Sequence, residues 1–129
     1  MSPATGLLAF LALTLALLGT VVWTGLRKRR RTHLTLVLAA LGSLTTTIVF
    51  AERLGRLYDL EAAGAIYPLH LLIAKLTTAA YLLPVVTGLL TIRRQERIRW
   101  HRRCAFLVLG LTVLTAITGS WMLLAAERL

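Results

Sequence analysis

A chain of 129 residues, 57% hydrophobic, only 16% charged and with a mean hydropathy of +0.76, is too apolar for an ordinary soluble domain. Its net charge of +10 would suit a nucleic-acid partner. The basic residues flank long apolar stretches instead, with no aromatic-interleaved basic surface beyond them, so nucleic acid is excluded. The single cysteine, Cys104, leaves no intrachain disulfide and cannot build a zinc site alone.

The first apolar stretch, about 3–26, carries no charge, and at roughly 1.5 Å per residue it can cross a hydrocarbon core of about 30 Å. It lacks a basic segment before it and a small-residue cleavage site after it, so it reads as a retained helix rather than a signal peptide. Trp23 is placed to anchor it at an interface. A second helix is predicted over 33–58. Its apolar part ends at Phe50, after which Leu54, Leu57 and Leu60 recur at spacing three among Glu52, Arg53, Arg56, Asp59 and Glu61, and predict an amphipathic continuation along the outer surface. A third helix is predicted over 66–92, with Pro68 in its first turn and Pro84 as a kink. Pro84 frees the carbonyl of Ala80, for which Thr77, Thr78 or a neighbouring helix is the expected partner. The fourth helix is predicted over 102–126.

Five of the fifteen basic residues form the run Arg27, Lys28, Arg29, Arg30 and Arg31, and six more lie between Arg93 and Arg103. Each group sits in a short connection between two spans, and such connections stay on the cytoplasmic side. The expected fold is therefore all-α: a single transmembrane domain, residues 1–129, forming an integral membrane four-helix up-down bundle with both termini outside, on the periplasmic side. The expected location is the bacterial cytoplasmic (inner) membrane, as a multi-pass protein whose basic loops face anionic lipids.

Membrane helices pack through small and hydroxyl-bearing residues, because lipid gives no reason to hide leucine. The expected inward stripes are Thr5, Ala9, Ala12, Ala16 and Gly19 on the first helix, and His33, Val37, Ala40, Leu44, Thr47 and Ala51 on the second. On the third they are His70, Ala74, Thr77, Tyr81, Pro84 and Gly88, and on the fourth His101, Ala105, Val108, Thr112, Thr115 and Gly119. Each of the three histidines thus opens an inward stripe, although a histidine beside a basic loop also sits at the headgroup level without further function.

Orientation puts His33 and His101 at the cytoplasmic starts of two helices that are diagonal in such a bundle, and His70 at an outer start. Two neutral imidazoles at one height on diagonal helices can face each other and hold a haem b between them, with Arg31 and Arg102, and their neighbours Arg30 and Arg103, on its propionates. A transition metal on the same pair is the alternative, with His70 as a further candidate ligand. Lys75 is the one charge well inside a span, able to snorkel outward or to reach Glu52 or Glu61. No nucleophile elbow, phosphate loop or metalloprotease motif occurs, so no catalytic residue is assigned and the chain does not read as an enzyme.

From Thr32 to Leu124 the sequence resembles a small bacterial four-helix membrane family, largely of unknown function, that includes the terminal-oxidase maturation factor CtaM. The carriers are His33 opening a helix after a basic loop, Ser43 through Phe50, the run Tyr67-Pro68-Leu69-His70-Leu71-Leu72-Ile73-Ala74, His101-Arg102 with Ala105, and Thr118-Gly119. The resemblance implies that His33, His70 and His101 are the functional positions, and that the protein assists assembly of, or cofactor delivery to, a respiratory haem-copper oxidase, whose subunits would be its partners. A b-type haem electron carrier and a non-catalytic accessory subunit are the other readings.

Overall fold

A computed structural model describes residues 2–129, and the helices fall into two compact units. The first takes in the chain to Asp59 together with Arg128–Leu129, and the second is Leu60–Glu127. In the first unit, α1 (Pro3–Leu26) starts with proline at a position that needs no N–H donor, and Ser2 Oγ accepts from the Thr5 amide at 3.2 Å. A three-residue turn, in which Lys28 adopts φ 57°, then reverses the chain into α2 (Arg30–Gly55). So short a connection makes α1 and α2 antiparallel neighbours.

The second helix stops at Gly55, three residues before the predicted end, and the amphipathic continuation does not form. Tyr58–Asp59 (β1) is extended, Glu61–Ala63 is a single 3₁₀ turn, and Gly64 takes φ 79°, which a residue with a Cβ rarely adopts. Leu54 is helical and buried, whereas Leu57 and Leu60 lie beyond the helix and share no face with it. The two glycines outweigh the leucine spacing.

In the second unit the predicted third helix is two helices, α3 (Ile66–Ala80) and α4 (Leu82–Arg93), separated at Tyr81. The break falls one turn before Pro84, where the ring removes a donor and crowds the preceding carbonyls. Thr77 and Thr78 do not serve Ala80. Their hydroxyls donate to the carbonyls of Ile73 (2.7 Å) and Ala74 (2.9 Å). A 3₁₀ turn, Gln95–Arg97, leads into α5 (Ile98–Ala125), which packs against both α3 and α4, and Glu127–Arg128 (β2) is a final extended pair.

Among the described residues four helical segments are long and apolar enough to cross a membrane: Pro3–Leu26, Arg30–Gly55, Ile66–Arg93 and Gln95–Ala125, with mean hydropathies of 2.2, 2.0, 1.6 and 1.9. Burial is inverted relative to a soluble protein. Leu8, Leu38 and Leu124 are 67%, 72% and 88% exposed, while Thr14, Thr24, Ser43, Thr47, Thr77, Thr112 and Thr118 are buried. This is how helices pack when their surroundings are as apolar as leucine and hydroxyl contacts supply the cohesion.

Three of the four expected stripes match this burial. Ala40 and Thr47 on α2, Thr77 on α3, and Val108 and Thr112 on α5 are all buried, although Ala51 at the end of its stripe is exposed. The stripe on α1 is corrected: Thr5, Ala9, Ala12, Ala16 and Gly19 are all exposed, and the buried residues are Gly6, Thr14 and Thr24. Thr14 lies two residues, about 200° of helical rotation, from Ala12. A run of alanines marks a face that can be approached closely, whereas a hydroxyl that can bond across the interface decides which face is used.

Candidate functional site

The three histidines share one mode of fixation. In the first unit the His33 ring, on α2, lies against the end of α1, with Nδ1 2.9 Å from the Val21 carbonyl and 3.4 Å from Thr24 Oγ1. A Cβ on Gly25 would come within 3.2 Å of His33 Cε1. In the second unit His101, on α5, places Nδ1 3.2 Å from Thr87 Oγ1 on α4, and a Cβ on Gly88 would stand 3.1 Å from its Cε1. His70, on α3, places Nδ1 2.9 Å from Thr118 Oγ1 on α5, and a Cβ on Gly119 would stand 2.9 Å from its Cε1. Each imidazole thus rests in a Thr-Gly dipeptide of a packed helix. The threonine engages Nδ1, and the glycine removes the side chain that would push the ring away.

The hydrogen bonds fix the tautomer. The hydroxyl protons of Thr24, Thr87 and Thr118 are directed to carbonyls of their own helices, at Thr20 (2.9 Å), Leu83 (2.7 Å) and Leu114 (2.9 Å). Their oxygens therefore face the histidines as acceptors, and the Val21 carbonyl can only accept, so Nδ1 carries the proton in all three rings. Holding one ring nitrogen by a hydrogen bond fixes the orientation of the imidazole. Among the described residues no three His, Cys, Asp or Glu side chains are grouped around a common point for a bare ion. Imidazole is the donor type that an axial haem position takes.

A fourth Thr-Gly dipeptide, Thr5-Gly6, holds a phenyl ring instead. A Cβ on Gly6 would overlap the ring of Phe50, which also stacks on Phe10 at 5.7 Å between centroids. Between these ring contacts the helices are joined by hydroxyls. Thr14 Oγ1 lies 2.7 Å from Ser43 Oγ and 3.1 Å from Thr47 Oγ1 in the first unit, and Thr77–Thr115 (2.8 Å) and Tyr81–Thr112 (2.7 Å) do the same in the second. These contacts fix the helix registers that bring each Thr-Gly dipeptide level with its ring.

His33 belongs to the first unit and His101 to the second, each seated by its own hairpin. Arg31 is exposed and Arg102 half-buried, each within two residues of a seated histidine in sequence. Glu52 is exposed near the end of α2. Lys75 is exposed on α3 and forms no ion pair within its unit, whose one ion pair, Arg94–Glu96 at 3.9 Å, is highly exposed and adds little. Arginines also cover two tryptophans, Arg27 and Arg29 over Trp23 at 5.5 and 5.6 Å and Arg103 over Trp100 at 5.6 Å. Such pairs suit a headgroup layer, where one end of the contact is apolar and the other wet. The recurrence of Thr-Gly, at four of the nine glycines, was the signal in the sequence that stripes of small residues do not isolate.

Fold and site together define an all-α protein of apolar helical hairpins whose three histidines each rest against a Thr-Gly dipeptide. No family model, curated protein or solved structure matches the chain.

Proposed function

We propose that this chain is a multi-pass protein of the bacterial inner membrane, an up-down bundle of four helices with both termini outside, that assists assembly of, or cofactor delivery to, a respiratory haem-copper oxidase. His33 and His101 act as its ligands for haem b or a transition metal, with Arg31 and Arg102 as counterparts for propionates. The observation that carries the reading is the shared seat: both rings have Nδ1 held by the packed helix of their own hairpin and Cε1 against a glycine. A protein that must accept a cofactor and pass it on needs oriented ligands, and imidazoles held by a second helix meet that need. A b-type haem electron carrier would use the same two histidines. It differs in retaining a haem whose Soret and α bands respond reversibly to reductant through repeated turnover.

The test is oxidase assembly. Membranes from cells carrying the His33→Ala, His101→Ala double variant should contain less haem-loaded oxidase than those carrying the wild type at equal abundance of this protein. Unchanged oxidase content and activity after replacement of all three histidines would leave only an accessory structural role.

A further inference from the structure

The two hairpins share one pattern of contacts. Thr14 meets Thr47 and Thr24 meets His33 in the first, as Thr77 meets Thr115 and Thr87 meets His101 in the second, with ten residues between the threonines of the leading helix and fourteen from histidine to threonine on the returning one. The turns that join their helices differ. The longer one, in the second unit, contains Glu96, which pairs with Arg94. The shorter one is Arg27, Lys28 and Arg29, all exposed, with no acid in or beside it. The carboxylate side chains of the first unit are Glu52 and Asp59, and the nearer of them lies about 30 Å further along α2 at roughly 1.5 Å per residue. Trp23, exposed near the end of α1, gathers the short turn: the guanidinium carbons of Arg27 and Arg29 lie 5.5 and 5.6 Å from its ring centroid. Two like charges are thereby held beside one indole, and among the described residues neither they nor Lys28 makes a side-chain hydrogen bond or an ion pair.

We infer that Arg27, Lys28 and Arg29, gathered at Trp23, bind the phosphodiester of an anionic phospholipid. A cation resting on a ring face keeps its N–H donors, and guanidinium groups match phosphate oxygens with paired charge-assisted hydrogen bonds. An anion between the two guanidiniums also relieves the repulsion that the indole alone opposes. The partner is a lipid rather than a free phosphate because the turn closes two apolar spans. Leu26 and Leu34, both exposed, flank it in sequence, and the acyl chains of a bound phospholipid would lie along such surface. In the second unit Trp100 holds a single arginine, Arg103, which lies on α5 and not in the turn. The inference rests on the membrane reading and goes beyond it in making one turn, and not the other, a site for a single lipid. It does not require His33 or His101 to bind anything.

The experiment reads Trp23 fluorescence in the full-length protein carrying Trp100→Phe and Trp121→Phe, reconstituted in vesicles of equal parts phosphatidylglycerol and phosphatidylcholine with matched chains, one of the two lipids being brominated in its chains. Brominated phosphatidylglycerol should quench Trp23 several-fold more than brominated phosphatidylcholine. Arg27→Gln with Arg29→Gln should remove that preference, whereas Arg97→Gln with Arg99→Gln, which takes the same charge from around the other turn, should keep it. Native mass spectrometry of the full-length chain with its tryptophans intact, released from the mixed vesicles, should find phosphatidylglycerol retained. Trp23→Leu, which preserves every charge, should lower that retention several-fold. Equal quenching by the two lipids overturns the site while leaving the membrane reading intact, and quenching by neither overturns both. A preference that falls equally in the two pairs of charge variants, or retention unchanged by Trp23→Leu, overturns the site by showing diffuse attraction to net charge. Displacement of the retained lipid by millimolar inorganic phosphate assigns the arginines to a free anion and overturns it as well.

Discussion

Thr14 is the hub of the first hairpin, and Thr14→Val measures what holds its two helices together. The side chain is fully buried, and its Oγ1 reaches Ser43 Oγ at 2.7 Å and Thr47 Oγ1 at 3.1 Å while bonding the Phe10 carbonyl at 2.6 Å. Valine preserves the volume, so no cavity term enters. The two partners keep other acceptors, since Ser43 also contacts the Phe10 carbonyl at 3.3 Å and Thr47 donates to the Ser43 carbonyl at 2.9 Å. The loss is therefore two interhelical contacts without a stranded donor. At a mean of ~0.6 kcal/mol each the cost is about 1.2 kcal/mol, with a ceiling of ~3.4 kcal/mol if both are as strong as any measured between membrane helices. An equilibrium constant would shift about eightfold at the mean value. Steric-trap unfolding in bicelles reads this directly. Thr45→Val is the control, because Thr45 is exposed and bonds only the Leu41 carbonyl of its own helix. A Thr14→Val cost no larger than that of Thr45→Val would refute hydroxyl contacts as the cohesion of the hairpin.

The glycine seats predict opposite signs for chemically identical changes. Gly119→Ala should displace the His70 ring and cost about 1–3 kcal/mol as overpacking, whereas Gly110→Ala, with nothing within 4 Å of its new methyl, should be neutral or stabilising by up to about 1 kcal/mol in the same unfolding assay. Equal effects would remove the seat from the argument. Thr87→Val should release the His101 tautomer, so that nitrogen chemical shifts of the labelled ring move from a single Nδ1–H form toward a mixture. Retention of the single form would show that Thr87 is not its determinant. A reporter active only in the cytoplasm, fused after Leu129, should be silent, and strong signal would reverse the membrane orientation.

Most of the helical architecture is legible because charge and hydropathy act over whole spans. The runs from Arg27 and from Arg93 separate apolar segments so sharply that α1 lies on 3–26 as predicted and the other spans differ by a few residues. Periodicity served less well near helix ends. Leu54, Leu57 and Leu60 keep helical spacing, yet Gly55 and the left-handed Gly64 end the regular structure, since glycine relaxes the backbone wherever packing does not hold it. Inward faces were readable where a histidine opened the stripe, as on α2, α3 and α5, and unreadable on α1, where Thr5 and the alanines occupied one side and Thr14 the other. The histidines themselves stood out by type. Their tautomers did not, because these depend on Thr24, Thr87 and Thr118, which lie 9, 14 and 48 residues from the rings they touch.

The decisive measurement is the cofactor content of protein purified from its native membrane, by absorption spectroscopy, electron paramagnetic resonance and metal analysis, for the wild type beside the His33→Ala, His101→Ala double variant. The wild type should carry haem with a bis-imidazole low-spin ferric signal and a reducible α band, or a stoichiometric transition metal, and the double variant should lose that component while keeping its helicity. Wild-type protein with neither cofactor, or a double variant with the same low-spin haem or metal content as the wild type, would contradict a ligand role for these two histidines.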